Sequence, residues 1–251
     1  MEFWFSEFHT PDVKHSIRVN KQLYSKQSDY QRIDIFETPE FGRVLTLDGN
    51  VMLTERDEFI YDEMIVHVPM AVHREAKDIL VIGAGDGGVV RELTRYDRVE
   101  RIDWWRWTPR WWRPAAPTCP ATPAGWMTAG CTSTLRTPSS SSASAKRSTT
   151  SSSWTPPILR PQRGLFTREF YGSCFNALKE DGIMVNQQGS PFYAEDASAM
   201  QRSHKRIAST FPISRCIRPT SPLLQRATGC SALPARSTTP SMIWMQPPGR
   251  P

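Results

Sequence analysis

The chain has 251 residues, with 31 Lys and Arg against 25 Asp and Glu and a formal net charge of +6. That length suits one large or two small domains, and no apolar run reaches the ~18 residues that a membrane helix needs. The basic excess does not point to nucleic acid: residues 1–103 hold 13 Lys and Arg against 20 Asp and Glu, and the surplus lies in two segments, 104–163 and 216–251, that contain no acid at all.

Residues 1–10 are polar and acidic, so no secretory leader is expected. From 16 to 53 the chain alternates in the strand period, through Ser16-Ile17-Arg18-Val19, Gln31-Arg32-Ile33-Asp34-Ile35-Phe36 and Arg43-Val44-Leu45-Thr46-Leu47. Pro39-Glu40-Phe41-Gly42 and Asp48-Gly49-Asn50 supply the turns. This predicts a small antiparallel β-domain over 1–55. A helix follows over 57–72, with Ile60, Met64, Val68 and Ala71 at helical spacing as its expected inner face.

Residues 78–88 read Asp78-Ile79-Leu80-Val81-Ile82-Gly83-Ala84-Gly85-Asp86-Gly87-Gly88 and run into a helical stretch over 89–96. A short apolar run is a buried parallel strand, and glycines after it let the backbone approach a ligand closely. The alternative is a plain tight strand-to-helix turn. Val99-Glu100-Arg101-Ile102-Asp103 predicts a second strand, whose end should supply a carboxylate to ribose hydroxyls. The third glycine is displaced from the dinucleotide spacing and an Asp follows the second. That favours an S-adenosyl ligand with a charged tail over NAD.

Beyond Asp103 the character of the chain changes. Tryptophans crowd in with long Ser, Thr and Pro runs, and acids vanish until Glu169. Trp and Met each have a single codon, so the bases beneath them are fixed. Read from the third base of each codon, Trp104-Trp105 and Trp111-Trp112 spell Val, while Trp107-Thr108, Trp126-Met127, Met127-Thr128 and Trp154-Thr155 all spell Asp. With degenerate positions filled by allowed choices, the segment from 104 can begin V-E-M-D-P, and 148–158 can read Y-D-L-I-I-V-D-S-T-D. The tail from Ala227 can read G-Y-W-L-F-G-F-A-S-K-K-Y-H-P-I-D-D. The segments 104–163 and 216–251 are therefore expected to be out of frame, the first of them disordered and unable to supply sheet strands. The alternative is a genuine low-complexity insert and tail.

Between these segments an α/β pattern returns. Residues 166–180 predict a helix with Phe170, Cys174, Phe175 and Leu178 inward, stopped at Asp181-Gly182. Ile183-Met184-Val185-Asn186 predicts a strand and 195–211 a further helix. Strands alternating with helices imply a mostly parallel sheet over 56–215. Of five cysteines, Cys119, Cys131, Cys216 and Cys230 lie in the acid-free segments and only Cys174 outside them, so no disulfide framework is expected and a reducing cytoplasm is the default. His9, His15, His67, His73 and His204 show no ligand spacing, so no metal is expected.

Four stretches in order resemble the spermidine synthase family of polyamine aminopropyltransferases: S-D-Y-Q-R-I-D-I-F-E-T at 28–38, L-D-G-N-V-M-L-T-E-R-D-E-F-I-Y-D-E-M at 47–64, V-I-G-A-G-D-G-G at 81–88 and L-F-T-R-E-F-Y at 165–171. The resemblance implies an N-terminal β-domain, a Rossmann-like domain of the methyltransferase type, and a homodimer or homotetramer. It implies aminopropyl transfer from decarboxylated S-adenosylmethionine, a co-substrate and not a tightly bound cofactor, to putrescine, with no nucleic-acid or membrane partner. Gln31 then matches the nucleoside-site glutamine, Gly83 and Gly85 the cofactor loop, Asp86 the carboxylate facing the amino end of the donor, and Tyr61 the tyrosine of the diamine pocket. Asp62 stands where the family usually has His. The family's catalytic Asp falls at Trp154-Thr155, so no catalytic residue is present in the chain as written. Two other classes remain open: an S-adenosylmethionine-dependent methyltransferase, in which the β-rich entry and Y-D-E-M would have no role, and a non-catalytic polyamine or nucleoside binder.

Overall fold

The computed structural model describes residues 1–28, 31–105, 131–132, 148–153, 167–188, 193–217 and 228–233, with backbone alone at 105, 131–132, 148–153 and 228–233. Two antiparallel sheets open the chain. Strands β1 (Phe3–Thr10) and β2 (Val13–Val19) form a hairpin. Strands β3 (Lys21–Gln27), β4 (Arg32–Thr38), β5 (Gly42–Leu47) and β6 (Asn50–Thr54) form a four-stranded meander. Alternation explains the inner face: Ile33 and Ile35 on β4, Leu45 and Leu47 on β5 and Leu53 on β6 bury together. Ile17 of the hairpin packs with Val44 and Val51 of the meander, backed by Phe5 and Phe41, which joins the two sheets.

Helix α1 (Glu58–Val72) leads from the β-domain to a seven-stranded sheet. In chain order that sheet uses β7 (Asp78–Ile82), β8 (Arg101–Trp105), β9 (Cys131–Thr132), β10 (Ser148–Ser153), β11 (Leu178–Gln188), β12 (Ile213–Ile217) and β13 (Thr228–Leu233). Its spatial order is β12-β13-β11-β10-β7-β8-β9. The run β9-β8-β7-β10-β11 is parallel throughout, and β13 joins it antiparallel to both β11 and β12. The first strand of the domain, β7, thus has the second strand on one side and the fourth on the other. This reversal of strand order is the switch point at which open α/β sheets bind ligands, beyond the carboxyl ends of the strands. The Rossmann-like architecture with a mostly parallel sheet is as expected.

Helices α2 (Gly88–Leu93), α3 (Arg168–Ala177) and α4 (Ala194–Ala208) complete the described elements. The main core joins Ile79 and Val81 of β7 to Ile65, Val66 and Met70 of α1, Val89, Val90 and Leu93 of α2, Ile102 of β8, and Ile183 and Val185 of β11. A second cluster holds Tyr171, Cys174, Leu178, Met184, Ile207 and Phe211.

Three expectations are corrected. The buried face of α1 carries Asp62, Ile65, Val66, Pro69 and Met70, whereas Ile60, Met64 and Val68 are half-buried and Ala71 is exposed. The helix is apolar on several sides, so spacing alone did not choose the face. Second, α3 ends at Ala177, because Leu178 turns to extended backbone and buries its side chain in the second cluster. The strand β11 therefore begins there and runs through Asp181-Gly182, while Phe175 stays exposed. Third, strands occur within 104–163, where none was expected: the end of β8, β9 and β10; the acid-free tail likewise supplies all of β13 and the end of β12. Ladder bonds are made by the backbone, and β7 and β11 stand one strand apart with facing N–H and C=O groups that only a strand between them satisfies. The disorder expected over the rest of 104–163, and the reading of 234–251, fall outside the described residues.

Candidate active site

The loop after β7 crosses the switch point in a tight left-handed path. Gly83 has φ 94°, Ala84 φ 45° and Gly87 φ 89°, so three of five consecutive residues occupy the region that side chains disfavour. Gly85 lies outside that region, so its glycine is not required by φ. Gly87 caps α2, and Gly88 opens it against α1: a Cβ on Gly88 would overlap both carboxylate oxygens of Asp62.

That contact places Asp62 beneath the loop, 1% exposed. Its Oδ2 lies 3.5 Å from Arg91 Nη2, near enough for an ion pair, yet neither oxygen has an aligned hydrogen-bond donor among the described residues. Arg91 is committed elsewhere. Its Nη1 and Nη2 donate to Glu58 Oε1 and Oε2 at 2.7 and 3.0 Å, and its Nε donates to Glu92 Oε1 at 2.9 Å. Burial, then Asp86, then Glu58 push the Asp62 carboxyl well above its ordinary range, and Arg91 only partly opposes them.

Asp86 belongs to the same field. Burial and then Glu58 push its carboxyl up to about 6, against backbone N–H bonds from Asp86 itself and Gly87 and the charge of Arg91. Tyr61 reaches from α1 toward β11, its hydroxyl 3.5 Å from Gln187 Oε1. Burial, then Asp62 and Asp86, hold that phenol protonated. Three buried or half-buried acids, Glu58, Asp62 and Asp86, thus share one guanidinium beside the loop, a field that favours a cation.

The residues singled out from sequence fall into two groups. Tyr61, Asp62, Gly83, Gly85 and Asp86 come together at the carboxyl end of β7. Gln31 stands at the entry to β4, its N–H donating to Ser28 Oγ at 3.0 Å and its carbonyl accepting from the same hydroxyl at 2.7 Å. It is 5% exposed, and its side-chain Oε1 has no partner among the described residues. No described hydrogen bond or ion pair links it to the α1–α2 acids. Glu58, Gly88 and Arg91 were missed. Glu58 and Gly88 open their helices and Arg91 lies in the last turn of α2, so no local pattern links them; the acid meets its cation, 33 residues on, only through folding.

At the end of β8, where a ribose-binding acid was expected, Trp104 donates from Nε1 to Gly83 O at 2.9 Å. Strand β10 ends with Ser153 opposite Ile82 of β7. The next two residues in the sequence are Trp154 and Thr155, whose overlapping bases spell Asp. Those two lie outside the described residues.

Two family models match the chain in turn. Residues 3–55 match the family model described as the spermidine synthase tetramerisation domain, and residues 58–104 and 149–229 match the spermine/spermidine synthase domain. A polyamine aminopropyltransferase of Lachnospira eligens is 48% identical over 231 residues, covering 88% of this chain and 79% of that protein. One of Clostridium perfringens is 48% identical over 226 residues, covering 86% and 76%. A crystal structure of spermidine synthase in complex with the transition state analogue AdoDATO superposes with a TM-score of 0.84 at 33% identity, covering 92% of this chain and 80% of that one. Spermidine synthase from Thermotoga maritima gives 0.83 at 34% identity, covering 92% and 79%. With both of its folded parts matched in order and nearly half its residues shared with such relatives, the chain belongs to the spermidine synthase family.

Proposed function

We propose that this fold serves aminopropyl transfer from decarboxylated S-adenosylmethionine to putrescine, giving spermidine and 5′-methylthioadenosine. An amine nitrogen of putrescine attacks the methylene carbon next to the sulfonium; a C–N bond forms, the C–S bond breaks, and sulfur leaves as the neutral thioether with the bonding pair. The product nitrogen is left as a secondary ammonium, so the one proton released is the one the diamine loses before it attacks. Putrescine amines have pKa values near that of Lys, about 10.4, so the attacking nitrogen needs a carboxylate to take its proton.

The observation that carries this reading is the acid field at the switch point. Asp86 is ionised above about pH 6, so near neutrality it offers a carboxylate to the ammonium at the aminopropyl end of the donor. Gln31, whose buried Oε1 has no partner among the described residues, suits a nucleoside hydroxyl or amine. Gly83 and Gly85 give the donor its close approach to the backbone, and Tyr61 and Asp62 face the diamine. The base itself belongs at the end of β10, at the position that Trp154-Thr155 overwrite. As written, the chain carries a donor loop and lacks the acid that completes the reaction.

Association into a homo-oligomer is supported by Phe3, Trp4 and Phe8, all more than half exposed on the hairpin, within the segment that matches a tetramerisation domain. Among the described residues no helix is long and apolar enough to cross a membrane. A cytoplasmic setting fits Cys174, whose thiol is pushed up to about 12 by burial and is unsuited to disulfide chemistry. Calorimetric titration with 5′-methylthioadenosine tests the donor half: binding that weakens in Gln31→Ala supports the reading, and binding indifferent to that change removes it. The methyltransferase alternative predicts S-adenosylmethionine binding equal to that of its decarboxylated form.

A further inference from the structure

Helix α1 places Glu63 and His67 one turn apart on its outer side, and Glu92 of α2 faces them. One ligand atom from each of the three lies within 4.8 Å of the other two. His67 is held in a definite orientation. Its Nδ1 is 2.6 Å from the Tyr96 hydroxyl, and the guanidinium of Arg98 lies 4.5 Å over the Tyr96 ring. Without an ion, Nε2–H donates to Glu92 Oε2, 3.2 Å away; an ion would take the place of that proton while Nδ1–H donates to Tyr96 Oη. An imidazole whose far nitrogen is tied to a neighbour is the usual arrangement of a metal-binding histidine.

We propose that Glu63, His67 and Glu92 bind a divalent transition metal ion of the zinc class. One imidazole nitrogen and two carboxylate oxygens balance a 2+ charge and suit a borderline ion, whereas calcium and magnesium prefer all-oxygen shells. Three protein ligands leave a fourth position open to water. Glu63 and His67 are half-buried, so the site opens to solvent on their side. Arg95 is the competitor: it donates from Nη1 to Glu92 Oε2 at 2.6 Å while its side chain is 61% exposed. The ion takes that oxygen as Arg95 swings into solvent, and Arg91 keeps its hold on Oε1. A scan for histidine spacing does not reveal such a site, because two of the three ligands are carboxylates and one of these, Glu92, comes from another helix.

Equilibrium dialysis of the full chain against Zn²⁺, with Co²⁺ absorption reporting nitrogen ligation, tests this. One ion per chain is expected, with Glu63→Gln and His67→Gln each weakening retention about tenfold or more. Arg95→Gln is expected to tighten retention, by up to about fivefold, a gain that misfolding does not produce. No retained ion, equal retention by the Glu63→Gln and His67→Gln proteins, or no tightening in Arg95→Gln overturns the proposal.

Discussion

Gly88 of α2 lies against the Asp62 carboxylate of α1 so closely that a Cβ at residue 88 would overlap both oxygens. Alanine there has to push the acid or the helix aside, and overpacking of a tight site costs about 1–3 kcal/mol. Gly88→Ala is therefore expected to destabilise the fold by that amount, and Asp62→Ala to relieve most of the cost. A double-mutant cycle in urea checks this: equal penalties for Gly88→Ala with and without Asp62 would show that the contact carries no energy.

The acids beside the loop set a pH dependence. Asp86 has an ordinary carboxyl value of 3.8 raised to about 6 in the fold, so the folded state binds this proton more tightly than the unfolded chain. The stability it confers is complete below about pH 4 and is lost as pH rises through about 6. Asp86→Asn removes that loss and should gain on the parent protein by at most about 3 kcal/mol between pH 4 and pH 7. Denaturation at the two pH values measures it; a constant difference between the proteins contradicts it. Asp62 is shifted in the same direction and adds to the slope of the parent.

Asp62 also bears on diamine choice. An aspartate in place of the family's usual histidine exchanges an imidazole for an acid. Asp62→His in a frame-restored chain is expected to change the ratio of putrescine to cadaverine use. Competition between the two diamines reads this ratio directly, and an unchanged ratio would place Asp62 outside the diamine pocket.

Strand β10 is Ser and Thr throughout, and such side chains bring little apolar area to a sheet centre. Amide hydrogen exchange is expected to be faster in β10 than in β7, whose Ile79 and Val81 are buried. Equal protection of the two strands would count against this.

How much the sequence revealed follows from where the chemistry is local. The loop from Gly83 to Asp86 was legible because an apolar strand, glycines and an acid lie in one short run. Its surroundings were not. Only the resemblance singled out Asp62; its burial against Arg91, 29 positions later, comes from packing, and the mixed apolar faces of α1 hid the fact that it points inward. The glycine that matters for packing is Gly88, which only the helix-to-helix contact distinguishes from Gly85. Strand β10 was illegible for a different reason: the slot between β7 and β11 is defined by its neighbours' backbones, while the Ser and Thr within it carry no strand pattern.

The most direct measurement is an assay of two proteins with putrescine and decarboxylated S-adenosylmethionine: the chain as written, and one whose reading frame is restored across codons 103–104, 162–164 and 215–216. A proton-accepting carboxylate contributes about 10²–10⁴ in rate, and the chain as written also lacks the ribose-binding acid expected at the end of β8, where Trp104 stands. Spermidine and 5′-methylthioadenosine are expected from the restored protein and neither from the chain as written. Turnover by the chain as written, or none by a well-folded restored protein, would contradict the assignment.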